Sequence, residues 1–197
     1  LPNDVVTHQQ LREKVADPKL FSNIDYVCTD GTSLPFSNRS FNLVVNFLGL
    51  EDLNMTMSLD GAEVALNGLA ELLTSGGYLQ LSMVEYGDTP EEQVAKDVWE
   101  ATGLGCTFLP ESYYQEILEG LGLNLLTSVV FQIPKKMTPE QAKEELEFAC
   151  NEAPKIFATF DVHAISFQEL WEQFSDRIKE HGMAYWSRIR VLVFRKV

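Results

Sequence analysis

Short apolar runs alternate with amphipathic segments along this chain. Residues Phe41–Leu48 are almost continuously apolar, which is typical of a strand covered on both faces. From Met57 to Leu73 the apolar residues recur with helical spacing, and Ser75-Gly76-Gly77 ends this helix before a strand at Tyr78–Val84. A strand, a helix and a second strand in this order predict a crossover unit of an α/β sheet.

The rest of the pattern predicts further elements on both sides of this unit. Before it, we expect a short helix at Gln9–Ala16 and a strand at Ile24–Cys28. After it come helices from Thr89 to Ala101, Pro110 to Leu121, Thr138 to about Cys150 and Ser166 to about His181, and strands at Leu123–Phe131 and Ile189–Phe194. We interpret residues 132–183 as a helical insertion or lid within a single domain spanning residues 1–197.

The composition narrows the classes of partner. The chain has 197 residues, 45% of them hydrophobic, which suits one domain with a sizeable core. Lys and Arg number 15 against 29 Asp and Glu, giving a net charge of −14. A nucleic-acid partner requires clustered basic residues, and the sequence has no such run, so we expect none.

The cysteines and the apolar runs indicate the compartment. Cys28, Cys106 and Cys150 are too few and too far apart for a disulfide framework or a zinc site. No apolar run approaches the roughly 18–20 residues that span a bilayer. We therefore expect a cytoplasmic protein without a membrane segment or a metal.

The stretch from Ile24 to Asn46 carries the most specific motif. It combines a strand ending before Asp30-Gly31, a loop with Leu34-Pro35-Phe36 and the strand at Phe41–Leu48. With the helix and Gly-Gly that follow, this order resembles the centre of class I S-adenosylmethionine-dependent methyltransferases, in the small-molecule branch. The resemblance implies an α/β, Rossmann-like methyltransferase fold with a mostly parallel sheet and an antiparallel last strand.

The resemblance also implies a site and a cofactor, S-adenosylmethionine. By position, Asp30 would accept a hydrogen bond from the adenine amino group, and the Gly31 amide would contact the adenine ring. Asn46 and Phe47 would border the methionine end, and Asp4 would lie near the ribose. A small or medium-sized molecule would accept the methyl group. Weak candidates for a catalytic role beside it are Glu85 and Tyr86, which follow the fifth strand of the family's sheet.

The residues themselves leave alternatives open for three of these positions. Asp30 could instead cap its loop by accepting hydrogen bonds from the Thr32 or Ser33 amide. Asn46 requires a partner if it is buried, and either a backbone group or a substrate satisfies it. Glu85 acts as a general base, orients the acceptor, or is a solvated loop carboxylate.

One part of the family pattern is missing. The family's first strand ends in a glycine-rich turn, whereas the sequence before Ile24 contains no glycine. Either this is a processed or partial chain of an enzyme, or it is a degenerate, non-catalytic methyltransferase-like domain that binds a partner protein or a ligand. A sheet without that strand has an exposed edge, which a partner chain or a homo-oligomer would cover.

Overall fold

The computed structural model describes residues 25, 27–132, 135–185 and 188–197. The chain divides into two compact units, residues 1–35 and residues 36–197. The helix predicted at Gln9–Ala16 lies outside the described residues, as do Asp4, Ile24 and Tyr26. In the first unit, the prediction of a strand is wrong at residues 25, 27 and 28, which are exposed and belong to no strand.

The second unit contains the regular elements. Its strands are β1 (Phe41–Phe47), β2 (Leu73–Glu85), β3 (Leu123–Gln132), β4 (Lys136–Met137), β5 (Met183–Ala184) and β6 (Arg188–Lys196). Its α-helices are α1 (Leu50–Leu72), α2 (Pro90–Ala101), α3 (Glu111–Gly120), α4 (Pro139–Asn151), α5 (Ala153–Ile156) and α6 (Phe167–His181). The helix starts predicted at Thr89, Thr138 and Ser166 are confirmed, because each of these residues is the N-cap of a helix.

Four strands form the main sheet in the order β1-β2-β6-β3. β1 and β2 are parallel, while β6 lies between β2 and β3 and is antiparallel to both. β1, β2 and β3 therefore point the same way, and only the last strand of the chain is reversed. This arrangement confirms the expected α/β class with an antiparallel last strand. β4 and β5 form a separate two-stranded sheet.

Helix α1 begins earlier than the sequence predicts. The predicted start was Met57, whereas the helix begins at Leu50 and contains a break at Ser58, which has φ 60° and ψ −171°. The segment after this break corresponds to the predicted helix, with Asp60 in its first turn. The extra turns before Ser58 place acidic residues beside the end of β1.

The core of the second unit has three parts, the smallest of which contains Leu104, Ala149 and Val162. One face of the main sheet packs against α1 and α3, through residues such as Leu66, Leu81 and Leu118. A second cluster joins α2, α4 and α6 with β4 and β5, and includes Val98, Leu146 and Phe174. Within residues 132–183, helices α4 and α6 thus pack together with α2 in one hydrophobic cluster.

The other face of the main sheet presents apolar side chains to solvent. Leu43, Val45 and Phe47 on β1 are 58%, 52% and 64% exposed. They lie beside Tyr78, Gln80 and Ser82 of β2. Among the described residues β1 is also an edge of the sheet. No helix in the described ranges is long and apolar enough to cross a bilayer.

Candidate functional site

A cavity of about 300 Å³ lies at the carboxyl ends of β1 and β2. Ligands of open α/β sheets bind at this end of the strands, and ligand pockets have volumes from roughly 300 to 1,000 Å³. The wall is mainly apolar and combines the strand ends, α1, the loop before α3, and the helices α2, α4 and α5. Its residues are Leu48, Glu51, Asp52, Met55, Val84, Tyr86, Trp99, Leu104, Cys106, Thr107, Phe108, Glu145, Phe148, Ala149 and Ala153.

A tight turn after β1 forms one edge of the cavity. Leu48 has φ 54°, a left-handed conformation that is uncommon for a residue with a branched side chain. Its amide donates to the Ser82 carbonyl at 3.0 Å, which ties the turn to β2. The Asn46 side-chain oxygen accepts from the Gly49 amide at 3.4 Å, so the backbone partner expected as one alternative for Asn46 is present. Strained backbone of this kind clusters at functional sites.

Glu51 places a carboxylate in the cavity wall. Its Oε1 accepts from the Val84 amide at 2.7 Å, which fixes the side chain against the end of β2. Its Oε2 is buried and has no hydrogen-bond partner among the described residues. Burial raises the pKa of Glu51, and the bond from Val84 only partly opposes that rise. A donor on a bound molecule would satisfy this oxygen.

Tyr86 and Cys106 lie in the same wall. The Tyr86 ring makes an edge-to-face contact with Phe108, with ring centroids 4.8 Å apart. The Tyr86 hydroxyl is buried without a partner among the described residues, and burial raises its pKa. Burial also raises the pKa of the Cys106 thiol to about 11, so that it is a neutral lining group at pH 7.

The helices of residues 132–183 supply the opposite side of the cavity. Glu145, Phe148 and Ala149 of α4 and Ala153 of α5 belong to the wall. Phe148 is 54% exposed, so that its ring lies at the solvent-facing margin. The role of these residues as a lid stays a prediction.

The sequence candidates at the end of β2 separate in the structure. Tyr86 lines the cavity, whereas the Glu85 carboxylate is bound by Arg190, with Nη2–Oε1 at 2.9 Å and Nε–Oε2 at 3.1 Å. Arg190 also donates to Glu111 and to Ser128, at 2.6 and 2.7 Å. Of the alternatives considered for Glu85, neither a general base nor a solvated loop carboxylate describes this contact.

The candidates for the cofactor lie in both units. In the first unit, Asp30 Oδ1 accepts from the Thr32 amide at 2.8 Å and from the Thr32 hydroxyl at 2.7 Å. These bonds lower the pKa of the exposed Asp30 carboxyl and match the loop-cap alternative. Gly31 follows in the same turn. In the second unit, Phe47 is 64% exposed.

Sequence reasoning missed several wall residues, chiefly Glu51, Asp52 and Trp99. Glu51 and Met55 are four residues apart and so lie on one face of a helix. The sequence pattern would have indicated this shared face had the helix been predicted to begin at Leu50. No cluster of three or more metal-binding side chains occurs in the described part of the chain.

Comparisons with known proteins agree with this geometry. A family model described as a methyltransferase domain matches residues 4–81. A search of curated proteins by sequence found no match.

Solved structures match over most of the chain. A protein from Bacillus halodurans, provisionally described as a methyltransferase, is 15% identical with a TM-score of 0.57, over 89% of this chain and 78% of its own. The YcgJ protein from Bacillus subtilis is 13% identical with a TM-score of 0.59, over 95% of this chain and 76% of its own. SpnF, described as a [4+2]-cyclase, is 14% identical with a TM-score of 0.53, over 98% of this chain and 61% of its own. At these identities, the likeness is one of fold.

Proposed function

We propose that this chain is a class I S-adenosylmethionine-dependent methyltransferase that methylates a small or medium-sized acceptor held in the cavity, a proposal that its fold and the family match over residues 4–81 support. The observation that carries this proposal is the cavity itself, which lies where the carboxyl ends of β1 and β2 meet. The proposed compartment is the cytoplasm, which the free thiols of Cys106 and Cys150 support.

The cofactor supplies an electrophilic methyl group on a sulfonium sulfur. When bound, the cofactor would supply this methyl carbon to a lone pair of the acceptor, with the carbon–sulfur electrons retained on sulfur, and a proton of the acceptor would pass to solvent or to a carboxylate. The chain has to hold the acceptor in line with that methyl group and exclude water. Leu48, Met55 and Leu104 provide such an apolar wall, and the Glu51 carboxylate provides a proton acceptor.

The proposed cofactor contacts are those that the family resemblance implies. Asp30 and Gly31 would bind adenine, Asn46 and Phe47 would border the methionine part, and Asp4 would lie near the ribose. The position of Asn46 directly before the Leu48 turn supports its part, since that turn forms one edge of the cavity. Asp30 is exposed, which leaves its carboxylate accessible to a ligand.

Calorimetric titration with S-adenosylhomocysteine tests the proposal. We expect binding in the micromolar range and a loss of roughly tenfold in affinity for Asp30→Ala, since one hydrogen bond to a charged group contributes about 1.5–3 kcal/mol. Asp60→Ala is the matched control, because Asp60 is exposed on α1 and does not line the cavity. No heat at high micromolar ligand would contradict methyl transfer, and an unchanged affinity of Asp30→Ala would remove Asp30 from the site.

A second function rests on a different observation. SpnF has this fold and is described as a cyclase, and the present chain exposes Leu43, Val45 and Phe47 on β1. On this alternative, the chain is a domain that does not transfer methyl groups and binds a partner protein or a ligand without S-adenosylmethionine. A partner chain or a second copy would then cover the exposed edge at β1. Sedimentation of the purified chain would reveal self-association, and substituting Val45 by Lys would abolish it.

A further inference from the structure

The charges of the cavity wall have one sign. Glu51, Asp52 and Glu145 line the cavity, and no Lys, Arg or His belongs to the described lining. Two arginines of β6 are already bound elsewhere, Arg188 to Glu92 and Arg190 to Glu85. An anionic ligand would thus meet carboxylates without a compensating cation, whereas a cationic ligand would be attracted.

Two buried oxygens in this wall have no partner. Glu51 Oε2 and the Tyr86 hydroxyl oxygen are each inaccessible to solvent and form no hydrogen bond with a described residue. Native proteins rarely leave buried polar atoms unsatisfied, and the exceptions have causes such as backbone strain, a catalytic role or a bound water or ion. The position of these two oxygens on residues that line the cavity favours a role for them there. The Glu51 oxygen can only accept while it is ionised, so the matching group on a ligand is a donor.

The rest of the wall suits an apolar ligand with a positive charge. The rings of Trp99, Tyr86 and Phe108 belong to it, and aromatic faces attract ammonium groups. Met55 and Leu104 add apolar surface that would contact a hydrocarbon portion.

We propose, building on the methyltransferase function above, that this cavity selects an apolar or aromatic molecule carrying a protonated amine, and that Glu51 and Asp52 bind the ammonium group. Molecules of similar size that carry a carboxylate or a phosphate are excluded by the same two side chains. The small volume of the cavity limits the ligand to roughly one ring with a short chain.

Three probes of similar shape test this selection: 2-phenylethylamine, 2-phenylethanol and 3-phenylpropionate. Binding to the full chain is measured at pH 7 by ligand-observed NMR titration, with no cofactor present. We expect the amine to bind at least tenfold more tightly than the acid, with the alcohol between them. An acid that binds as tightly as the amine would overturn the proposal.

Two charge-neutral variants assign the effect to the cavity. Glu51→Gln keeps an oxygen that can accept from the Val84 amide, and Asp52→Asn is a second variant on the rim. Each should weaken binding of 2-phenylethylamine at least fivefold and leave 2-phenylethanol within twofold. Glu116→Gln, an exposed helix carboxylate outside the cavity, is the control and should change neither. An amine preference that survives both cavity variants would overturn the assignment.

Titration with S-adenosylhomocysteine separates this inference from the function on which it rests. If the chain binds S-adenosylhomocysteine but prefers 3-phenylpropionate to 2-phenylethylamine, the proposed amine ligand is contradicted and methyl transfer is not. Amine selectivity without any such binding would contradict methyl transfer and leave the cavity's choice of ligand supported.

Discussion

Arg190 donates hydrogen bonds to both carboxylate oxygens of Glu85 on the neighbouring strand, with N–O distances of 2.9 and 3.1 Å. The same guanidinium reaches Glu111 at the start of α3 and Ser128 on β3, so one side chain links three strands and a helix. Such two-pronged pairs are geometrically specific and stronger than single contacts. Glu85, although it follows the family's fifth strand, is therefore held in a structural contact.

Replacing Arg190 by Met should lower the free energy of unfolding by about 1–3 kcal/mol, because the carboxylates of Glu85 and Glu111 would remain partly buried without a partner. This value lies between the typical contributions of exposed and of buried ion pairs. Urea denaturation measures the change. Arg195→Met is the matched control on the same strand, where the exposed side chain lies 6.0 Å from the Tyr78 ring. It should change stability by less than about 0.5 kcal/mol. Equal losses for the two variants would contradict the linking role of Arg190.

Tyr86→Phe should leave thermal stability unchanged or slightly raised, because the hydroxyl that is lost has no partner in the described structure. The same change should weaken binding of an amine probe several-fold if the hydroxyl contacts the ligand. Tyr78→Phe, on the exposed face of β2, is the control for both measurements. A clear loss of stability in Tyr86→Phe would show that the hydroxyl has a structural partner.

Leu48 tests the strained turn. Leu48→Ala and Leu48→Gly both remove the side chain, but only glycine adopts φ 54° without cost. The glycine variant should therefore be more stable than the alanine variant by about 1 kcal/mol, measured by denaturant unfolding. An alanine variant at least as stable as the glycine variant would mean that the turn relaxes.

Cys106 should react slowly. A rise of its pKa from 9.0 to about 11 lowers the thiolate fraction at pH 8 by roughly 100-fold. Mass spectrometry after iodoacetamide treatment should show slow labelling of Cys106 in the native chain and fast labelling in urea. Cys28, which is exposed, is the internal control and should be labelled in both states. Equal native rates for the two thiols would contradict the burial of Cys106.

The same thiol should affect stability at alkaline pH. The folded state keeps the Cys106 proton up to about pH 11, while the unfolded state loses it near pH 9. Unfolding therefore releases a proton in this window, and stability should fall as the pH rises from about 9 to about 11. In Cys106→Ala, the melting temperature should fall less steeply between about pH 9 and pH 11. An unaltered slope would mean that other groups cause the loss of stability in this range.

The sequence predicted the sheet better than the cavity. The presence of the strands follows from local signals, such as the apolar run in β1. The expected helix stop at Ser75-Gly76-Gly77 is wrong, because these residues lie within β2, where Gly76 has φ +76°. Helix α1 ends at Leu72, one residue before the predicted end, and the chain passes directly into β2. The start of this helix does not follow from the sequence, because the polar and apolar residues between Leu50 and Ser58 form no regular apolar stripe and the chain breaks at Ser58.

The cavity depends on contacts between residues distant in sequence. Glu51 becomes a wall group only because its oxygen binds the Val84 amide, 33 positions away. Glu85 and Tyr86 are adjacent in the chain, yet one pairs with β6 and the other turns to the cavity, a difference that no local pattern encodes. The expected adenine contact of Asp30 stays a prediction, beside the loop bonds that the structure shows for it.

Among the described residues, none that lines the cavity belongs to the hydrophobic cluster between the main sheet, α1 and α3. Leu104 and Ala149 of the wall belong instead to a separate small cluster, against which Met55, Trp99 and Ala153 pack. Substitutions in α4 can therefore reshape the ligand space while the sheet and its strand ends keep their geometry. During evolution, proteins with this architecture can change the ligand that the cavity binds while the main sheet stays the same.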